Sequence, residues 1–104
     1  MSEGFVVREP EGSISVPATV LARLVVSAAE LTEGARVRRP RRGLTIAIED
    51  GHASVALSLR ARYGAALPDL AREVQERVSE ALRSTCGVEV AAVDVSIEEV
   101  FGGR

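Results

Sequence analysis

The stretch LTIAIEDGHASVALS, residues 44–58, determines the fold more than any other part of the chain. Apolar residues alternate with small or polar ones on both sides of Asp50-Gly51, a dipeptide that favours a two-residue hairpin turn. Such a turn sets which residues of the two strands lie opposite each other. The opposed apolar pairs are Leu44 with Leu57, Ile46 with Val55, and Ile48 with Ala53. Because the turn and the apolar pattern require the same register, we predict a β-hairpin with one buried face.

The opposite face of this predicted hairpin is small and uncharged. Its residues are Thr45, Ala47, Ser54, Ala56 and Ser58. A flat surface of this kind has little charge to repel a second copy, and small side chains lose little rotamer entropy when they are buried. We therefore predict that the protein self-associates through this face or through an uncovered sheet edge, where backbone groups lack partners.

Helical patterns flank the hairpin on both sides. Upstream, Pro17 suits the first turn of a helix, and apolar residues recur at helical spacing over residues 20–31. Downstream, Pro68 suits the first turn of a second helix, and Gly87 is placed to end it. Both helices are predicted to be amphipathic, with their apolar sides against the sheet.

Further strands are predicted at both ends of the domain. Before the first helix, the alternation of Ile14 and Val16 indicates a short strand. After the second helix, a closing strand is predicted over residues 88–100, and its alternation changes phase at Ala91-Ala92, as a β-bulge would produce. The order is strand, helix, two or three strands, helix, strand. It predicts an α+β fold in which two helices pack on one face of a small mixed sheet.

Length and composition limit the organisation of the chain. Its 104 residues are enough for one domain with a single two-layer core. We predict a loosely ordered N-terminal tail over residues 1–11, the folded domain over residues 12–100 and a C-terminal tail over residues 101–104. Thirteen basic and fifteen acidic residues nearly cancel, which favours no general polyanion partner.

The sequence also predicts a location. The single cysteine, Cys86, excludes an internal disulfide and a cysteine zinc cluster, which is typical of a reducing compartment. We predict no signal peptide and no membrane span, because no apolar run approaches the roughly 18 residues that a span requires. We predict a cytoplasmic protein, and any action at the envelope is expected from the cytoplasmic side.

Residues capable of chemistry are scattered along the chain. His52 lies beside the hairpin turn without a predicted orienting partner, which a catalytic histidine needs. Cys86 lies at a predicted helix C-terminus, where the helix dipole disfavours a thiolate. Glu73, Glu76 and Glu80 share a helical face with arginines and no histidine, so ion pairing is a better interpretation than a metal site. We predict no catalytic residues, no metal and no cofactor.

Five arginines occupy a seven-residue segment before the hairpin: Arg36, Arg38, Arg39, Arg41 and Arg42. A solvated connector is the simplest interpretation. A second interpretation is contact with an anionic surface, either the inner membrane leaflet or an acidic partner, and it requires exposed guanidinium groups with few partners inside the domain. A third is nucleic-acid binding, which is disfavoured because the chain has no GxxG loop and few aromatics for base stacking.

Several landmarks follow one another along the chain. They are Gly12-Ser-Ile-Ser-Val16, Tyr63-Gly64, a helix with Gln75 and Val78, Thr85-Cys86-Gly87-Val88, and the alternating Val93, Val95 and Ile97. In this order and spacing, over about residues 12–100, the chain resembles the alkaline-shock protein family of bacterial envelope-stress proteins. The landmarks are mostly structural: Tyr63 is expected at the edge of the core, and Gln75 in a hydrogen bond to a neighbouring loop.

The resemblance implies a non-enzymatic protein of envelope homeostasis or stress response. Soluble members of such a family are expected to self-associate and to be held at the cytoplasmic membrane face by a membrane-anchored relative. The alternative is a small nucleic-acid-binding domain that uses the segment from Arg36 to Arg42, and a third possibility is an enzyme or ligand-binding module.

Overall fold

The computed structural model describes residues 4–38 and 43–103, and it has the α+β architecture that the sequence predicted. The elements are β1 (Phe5–Glu9), β2 (Gly12–Val16), α1 (Ala18–Ala29), β3 (Ala35–Val37), β4 (Leu44–Glu49), β5 (His52–Arg62), α2 (Leu67–Cys86) and β6 (Glu89–Phe101). The main sheet comprises β3, β4, β5 and β6, and both helices cover one of its faces.

Strand β5 is the centre of the main sheet. It pairs in parallel with β6 along its whole length, and antiparallel with β4 over residues 52–57 and with β3 over residues 59–61. Strands β3 and β4 therefore share one side of β5, and the sheet is three strands wide. The three hairpin pairs predicted from the sequence are all confirmed: Leu44 with Leu57, Ile46 with Val55, and Ile48 with Ala53.

Helix α2 forms the crossover between the parallel strands β5 and β6, as parallel pairing requires. Pro68 lies in its first turn, and Gly87 ends it in the left-handed conformation, with its N–H donating to the Arg83 carbonyl. Both ends were predicted correctly. Helix α1 is shorter than its apolar pattern suggested, because it ends at Ala29 and leaves Leu31 outside the helix.

The core between the helices and the sheet is built from aliphatic side chains. Its largest fully buried members are Leu21 and Val25 of α1, Ile46 of β4, Val55, Leu57 and Leu59 of β5, and Val74, Val78 and Leu82 of α2. Because burial of apolar area stabilises roughly in proportion to that area, this layer supplies most of the folding free energy. The other face of the sheet is left open to solvent.

Strand β6 contains two register shifts relative to β5. Val90 lies opposite Ala53 and Ala92 opposite Ser54, which leaves Ala91 as an extra residue and confirms the predicted bulge. A second shift makes Glu98 an extra residue, since Ile97 pairs with Leu59 and Glu99 with Arg60. The second bulge was missed, although the apolar phase changes there from Ile97 to Val100.

The N-terminal region differs from the prediction. In place of a loosely ordered tail over residues 1–11, β1 pairs antiparallel with β2 in a separate two-stranded sheet. Pro10-Glu11 forms the turn of this hairpin, within the segment that was predicted to be a tail. Strand β2 was expected in the main sheet and lies outside it. Phe101 belongs to β6, so the C-terminal tail begins one residue later than predicted.

We expect Leu59→Ala to lower the free energy of unfolding by about 2–5 kcal/mol, because it removes a fully buried side chain at the centre of the sheet. The matched control is Leu31→Ala at a residue that is 68% exposed, which should change stability by less than about 0.5 kcal/mol. Urea unfolding followed by circular dichroism measures both. Equal losses in the two variants would contradict this account of the core.

Candidate functional site

The surface of the main sheet that faces away from the helices, called the outer face below, brings together the small residues predicted as a self-association face. Along β5 this face shows Ser54, Ala56 and Ser58, and β4 adds Thr45 and Ala47 in register beside them. Ser58 is half-buried, and the other four are exposed. Strand alternation places these five side chains on one side because their neighbours in sequence point into the core.

Strand β6 enlarges the outer face on the other side of β5. Ala92, Asp94 and Ser96 lie opposite Ser54, Ala56 and Ser58. Sequence reasoning missed these residues because a parallel partner strand has no turn that fixes its register. A shallow groove of about 220 Å³ lies at the centre of the face, between Thr45, Ala56 and Asp94. The centre of the outer face is therefore a shallow surface of alanine, serine and threonine with one carboxylate, that of Asp94.

One end of the outer face is acidic. His52 begins β5, and Glu49 of β4 and Glu89 of β6 lie opposite it on either side. Within residues 4–38 and 43–103, no arginine comes within ion-pair distance of either glutamate. Nδ1 of His52 lies 3.0 Å from the Asp50 carbonyl oxygen, a local turn contact at the surface.

The other end of the outer face carries arginines around one aromatic ring. Arg36 of β3 lies opposite Arg60 of β5, and both guanidinium groups sit over the Phe101 ring, at 5.0 and 5.1 Å from its centroid. Like charges directly opposite each other are unfavourable in a sheet. The electron-rich face of the ring and Glu99, whose Oε1 is 3.0 Å from Arg60 Nε, offset that repulsion.

Glu98, the extra residue of the second bulge, is held by three donors. Its Oε1 accepts a hydrogen bond from Arg38 Nη1 at 2.6 Å, and its Oε2 accepts bonds from the Ser96 and Ser58 hydroxyls at 3.1 and 3.2 Å. The Arg38 bond, followed by the two serine bonds, lowers the pKa of Glu98 below its ordinary value. The bulge therefore ties β6 to the segment that follows β3.

The arginine segment is only partly within the described residues. Arg36 stacks on Phe101, and Arg38 is ion-paired with Glu98 and lies 3.9 Å from Glu99. These two arginines therefore have partners inside the domain, contrary to the expectation for an anionic-surface contact, because the bulge of β6 brings acidic residues beside them. The other members, Arg39, Arg41 and Arg42, lie outside the described residues.

The residues considered for catalysis or metal binding have surroundings that favour structural roles. Burial raises the pKa of the Cys86 thiol, which opposes formation of a nucleophilic thiolate. Glu73 pairs with Arg77 at 2.9 Å, and Glu80 with Arg83 at 3.5 Å, as surface ion pairs of α2. Among the residues that the structure describes, no three histidine, cysteine, aspartate or glutamate side chains are grouped to hold a metal ion.

The two polar landmarks of the sequence have different surroundings. Gln75 Nε2 donates to the Val93 carbonyl at 2.9 Å, so its partner is the exposed edge of β6 rather than a loop. Tyr63 was expected at the edge of the core and is instead 62% exposed beyond the end of β5. Its ring lies against the backbone of Gly103, where an added side chain would collide with it.

We expect Glu98→Gln to lower the stability of the fold at pH 7, because the amide cannot replace the ionised acceptor of Arg38. A carboxyl with a lowered folded-state pKa stabilises the fold above its unfolded pKa of about 4.5 and loses that effect as the pH falls through the folded-state value. The difference between wild type and variant should therefore shrink in acid. Thermal unfolding from pH 7 to pH 3 measures it.

Glu76→Gln is the matched control, since it removes a carboxylate of α2 that has no ion pair among residues 4–38 and 43–103. A stability difference for Glu98→Gln that grows as the pH falls would contradict the role assigned to this carboxylate.

Comparison with known proteins finds similar solved structures and a matching family. Two variants of the MamM CTD have similar solved structures. A cadmium form has a TM-score of 0.54 at 21% identity, covering 78% of this chain and 94% of that one. A copper form has a TM-score of 0.55 at 19% identity, covering 81% and 98%. At this identity the likeness shows a shared fold.

No curated protein matches the chain significantly. Among the described residues, no helix has the length and apolar character needed to cross a bilayer. Residues 19–101 match the model of the alkaline shock protein 23 family, which is described by a cell envelope-related function. That match spans α1 to the end of β6 and includes the whole outer face. The chain therefore belongs to this envelope-related family, as its sequence landmarks indicated.

Proposed function

We propose that this protein is a non-enzymatic assembly domain of the cell envelope, which acts at the cytoplasmic membrane face by binding further copies of itself through the outer face. The observation that carries the proposal is the centre of that face, where the small residues Ser54, Ala56, Thr45 and Ala47 lie exposed beside one carboxylate, Asp94. The other side of the sheet packs against the helices. The family gives the envelope context.

The size of the outer face sets the expected strength of association. Strand β5 has 11 residues. At about 3.3 Å per residue and three strands about 4.8 Å apart, the face covers roughly 500 Å² per copy. Stable complexes bury about 800 Å² per partner, so this surface supports a reversible, concentration-dependent contact. Small side chains favour that contact because they let backbones approach closely and lose little entropy.

The sheet edges are less suited to pairing than the face. On β6, the Gln75 side chain donates a hydrogen bond to the Val93 carbonyl, and bulges at Ala91 and Glu98 interrupt the regular pattern of strand pairing. On β3, the Val37 N–H donates to Glu30 Oε2 at 2.9 Å. Bulges and occupied backbone groups protect edges against strand addition. These features disfavour strand addition at the β6 and β3 edges, so the edge of β4 is the alternative to the outer face as a site of self-association.

We expect Ala56→Arg to preserve the fold and to lower the apparent mass in light scattering, because it places a long charged side chain at the centre of the proposed contact. Thr85→Arg is the matched control, since it adds the same side chain at an exposed position of α2, in the opposite layer. A wild type that stays monomeric up to millimolar concentration would refute self-association. Equal masses for wild type and Ala56→Arg would refute the outer face as its site.

The proposal includes contact with an anionic membrane surface through the arginine segment. Because Arg38 is ion-paired with Glu98 and Arg36 lies on the outer face that is assigned to self-association, we assign this contact to Arg39, Arg41 and Arg42. Each arginine near an anionic bilayer contributes about 1 kcal/mol before screening, so three support reversible recruitment and require a second, membrane-held partner for stable attachment.

We expect the triple change of Arg39, Arg41 and Arg42 to serine to reduce co-sedimentation with phosphatidylserine vesicles by up to about a hundredfold, since three such contacts contribute about 3 kcal/mol. Changing Arg36 and Arg38 to serine is the comparison and should have a smaller effect. Binding by wild type should weaken as salt is raised. Equal binding by wild type and the triple variant would refute the membrane contact and indicate that the segment is a solvated connector.

A further inference from the structure

We propose that two copies pack outer face to outer face with their β5 strands antiparallel, related by a two-fold axis near Leu57. This inference rests on the self-association proposed above and adds its geometry. It derives from the charge distribution of the outer face along β5. The face has unpaired carboxylates at one end and arginines at the other, and its centre consists of small residues with Asp94 and an ion-paired Glu98 beside them. A surface that is polarised in this way fits a second copy of itself only when one copy is reversed.

The carboxylates at the acidic end are available for ion pairs with another molecule. Glu49 and Glu89 flank His52, and within the described part of the chain neither glutamate has an ion-pair partner. Asp94 lies nearer the centre, opposite Ala56. An exposed row of unpaired carboxylates lowers the local potential and attracts cationic groups.

Arginines at the basic end are likewise available for ion pairs with another molecule. Arg62 ends β5, and among the described residues its ion-pair partner is Glu33 at 3.6 Å, whose side chain is 90% exposed. A surface pair of that kind is weak and is easily exchanged for another. Arg36 contacts the neutral Phe101 ring and keeps its full positive charge. These two arginines are the cations of this end that are available to Glu49 and Glu89 of a second copy, while Glu99 at the same end is paired with Arg60.

Two sheets stacked about a two-fold axis have two simple arrangements. With the β5 strands parallel, Arg62 lies over Arg62 and the glutamate row over the glutamate row, which is repulsive at both ends. With the strands antiparallel, the row of Glu49 and Glu89 lies over Arg62 of the second copy, and the reverse contact repeats at the other end. Complementary charge therefore selects the antiparallel arrangement.

The two-fold axis of the antiparallel arrangement passes through the centre of the outer face. His52 and Arg62 are the ends of β5, so the axis crosses midway, between the outward-facing Ala56 and Ser58. A two-fold contact uses the same patch on both copies and is closed once formed. Association through the outer face therefore ends at a dimer, and larger assemblies would need a different surface.

The experiment uses two charge-reversed proteins of the full chain. One is Glu49→Arg with Glu89→Arg, which makes both ends basic, and the other is Arg36→Glu with Arg62→Glu, which makes both ends acidic. Sedimentation velocity at low salt measures the dimer dissociation constant of each protein and of their equimolar mixture. Circular dichroism first establishes that both variants are folded.

Each variant by itself should dimerise at least about tenfold more weakly than wild type, because like charges then meet at both ends. The equimolar mixture should recover a heterodimer of near wild-type affinity. The matched controls are Glu11→Arg with Glu76→Arg and Arg8→Glu with Arg23→Glu, which change the net charge equally at exposed positions away from the face. Both controls should dimerise like wild type, apart from a small effect of net charge.

Wild-type dimers together with unchanged dissociation constants in the two variants would overturn the antiparallel arrangement and leave self-association intact. Weakened variants whose mixture does not recover would likewise overturn it. A wild type that forms no dimer at any concentration would instead refute the self-association on which this inference rests. The three results are distinguishable in the same set of sedimentation profiles.

Discussion

The structure depends on the pairing of β5 with strands on both of its sides. Strand alternation along β5 places Val55, Leu57 and Leu59 in the core and Ala56, Ser58 and Arg60 on the outer face. A shift of one residue would exchange the two sets and bury arginine among aliphatic side chains, which is strongly unfavourable. The register of this single strand therefore determines both the hydrophobic core and the surface available to other molecules.

The two faces of the sheet have separate physical roles. The inner face and the two helices supply stability through aliphatic burial, while the outer face adds polar contacts such as those of Glu98. Side chains also protect the edges, with Gln75 on β6 and Glu30 on β3 occupying backbone groups that would otherwise pair with another strand. The outer face is therefore a surface that the two helices leave uncovered.

Family membership and fold likeness support different conclusions. The family model connects residues 19–101 with the cell envelope. The likeness to the MamM CTD shows that this arrangement of helices and sheet also occurs in proteins seen in cadmium and copper forms. Within residues 4–38 and 43–103, no three histidine, cysteine, aspartate or glutamate side chains are grouped to hold a metal ion. The two proposals therefore rest on surface shape and charge.

The sequence by itself determined the features that depend on local chemistry. Asp50-Gly51 and the flanking alternation gave the hairpin register, Pro68 and Gly87 gave the ends of α2, and the change of phase at Ala91 gave the first bulge. The tertiary structure decided what depends on contacts distant along the chain. No turn specifies how β6 aligns with β5, so the contact of Arg38 with Glu98 and the position of Phe101 between two arginines followed only from parallel pairing. The charge polarity of the outer face could not be predicted from the sequence for the same reason. It arises from three strands that are separated along the chain.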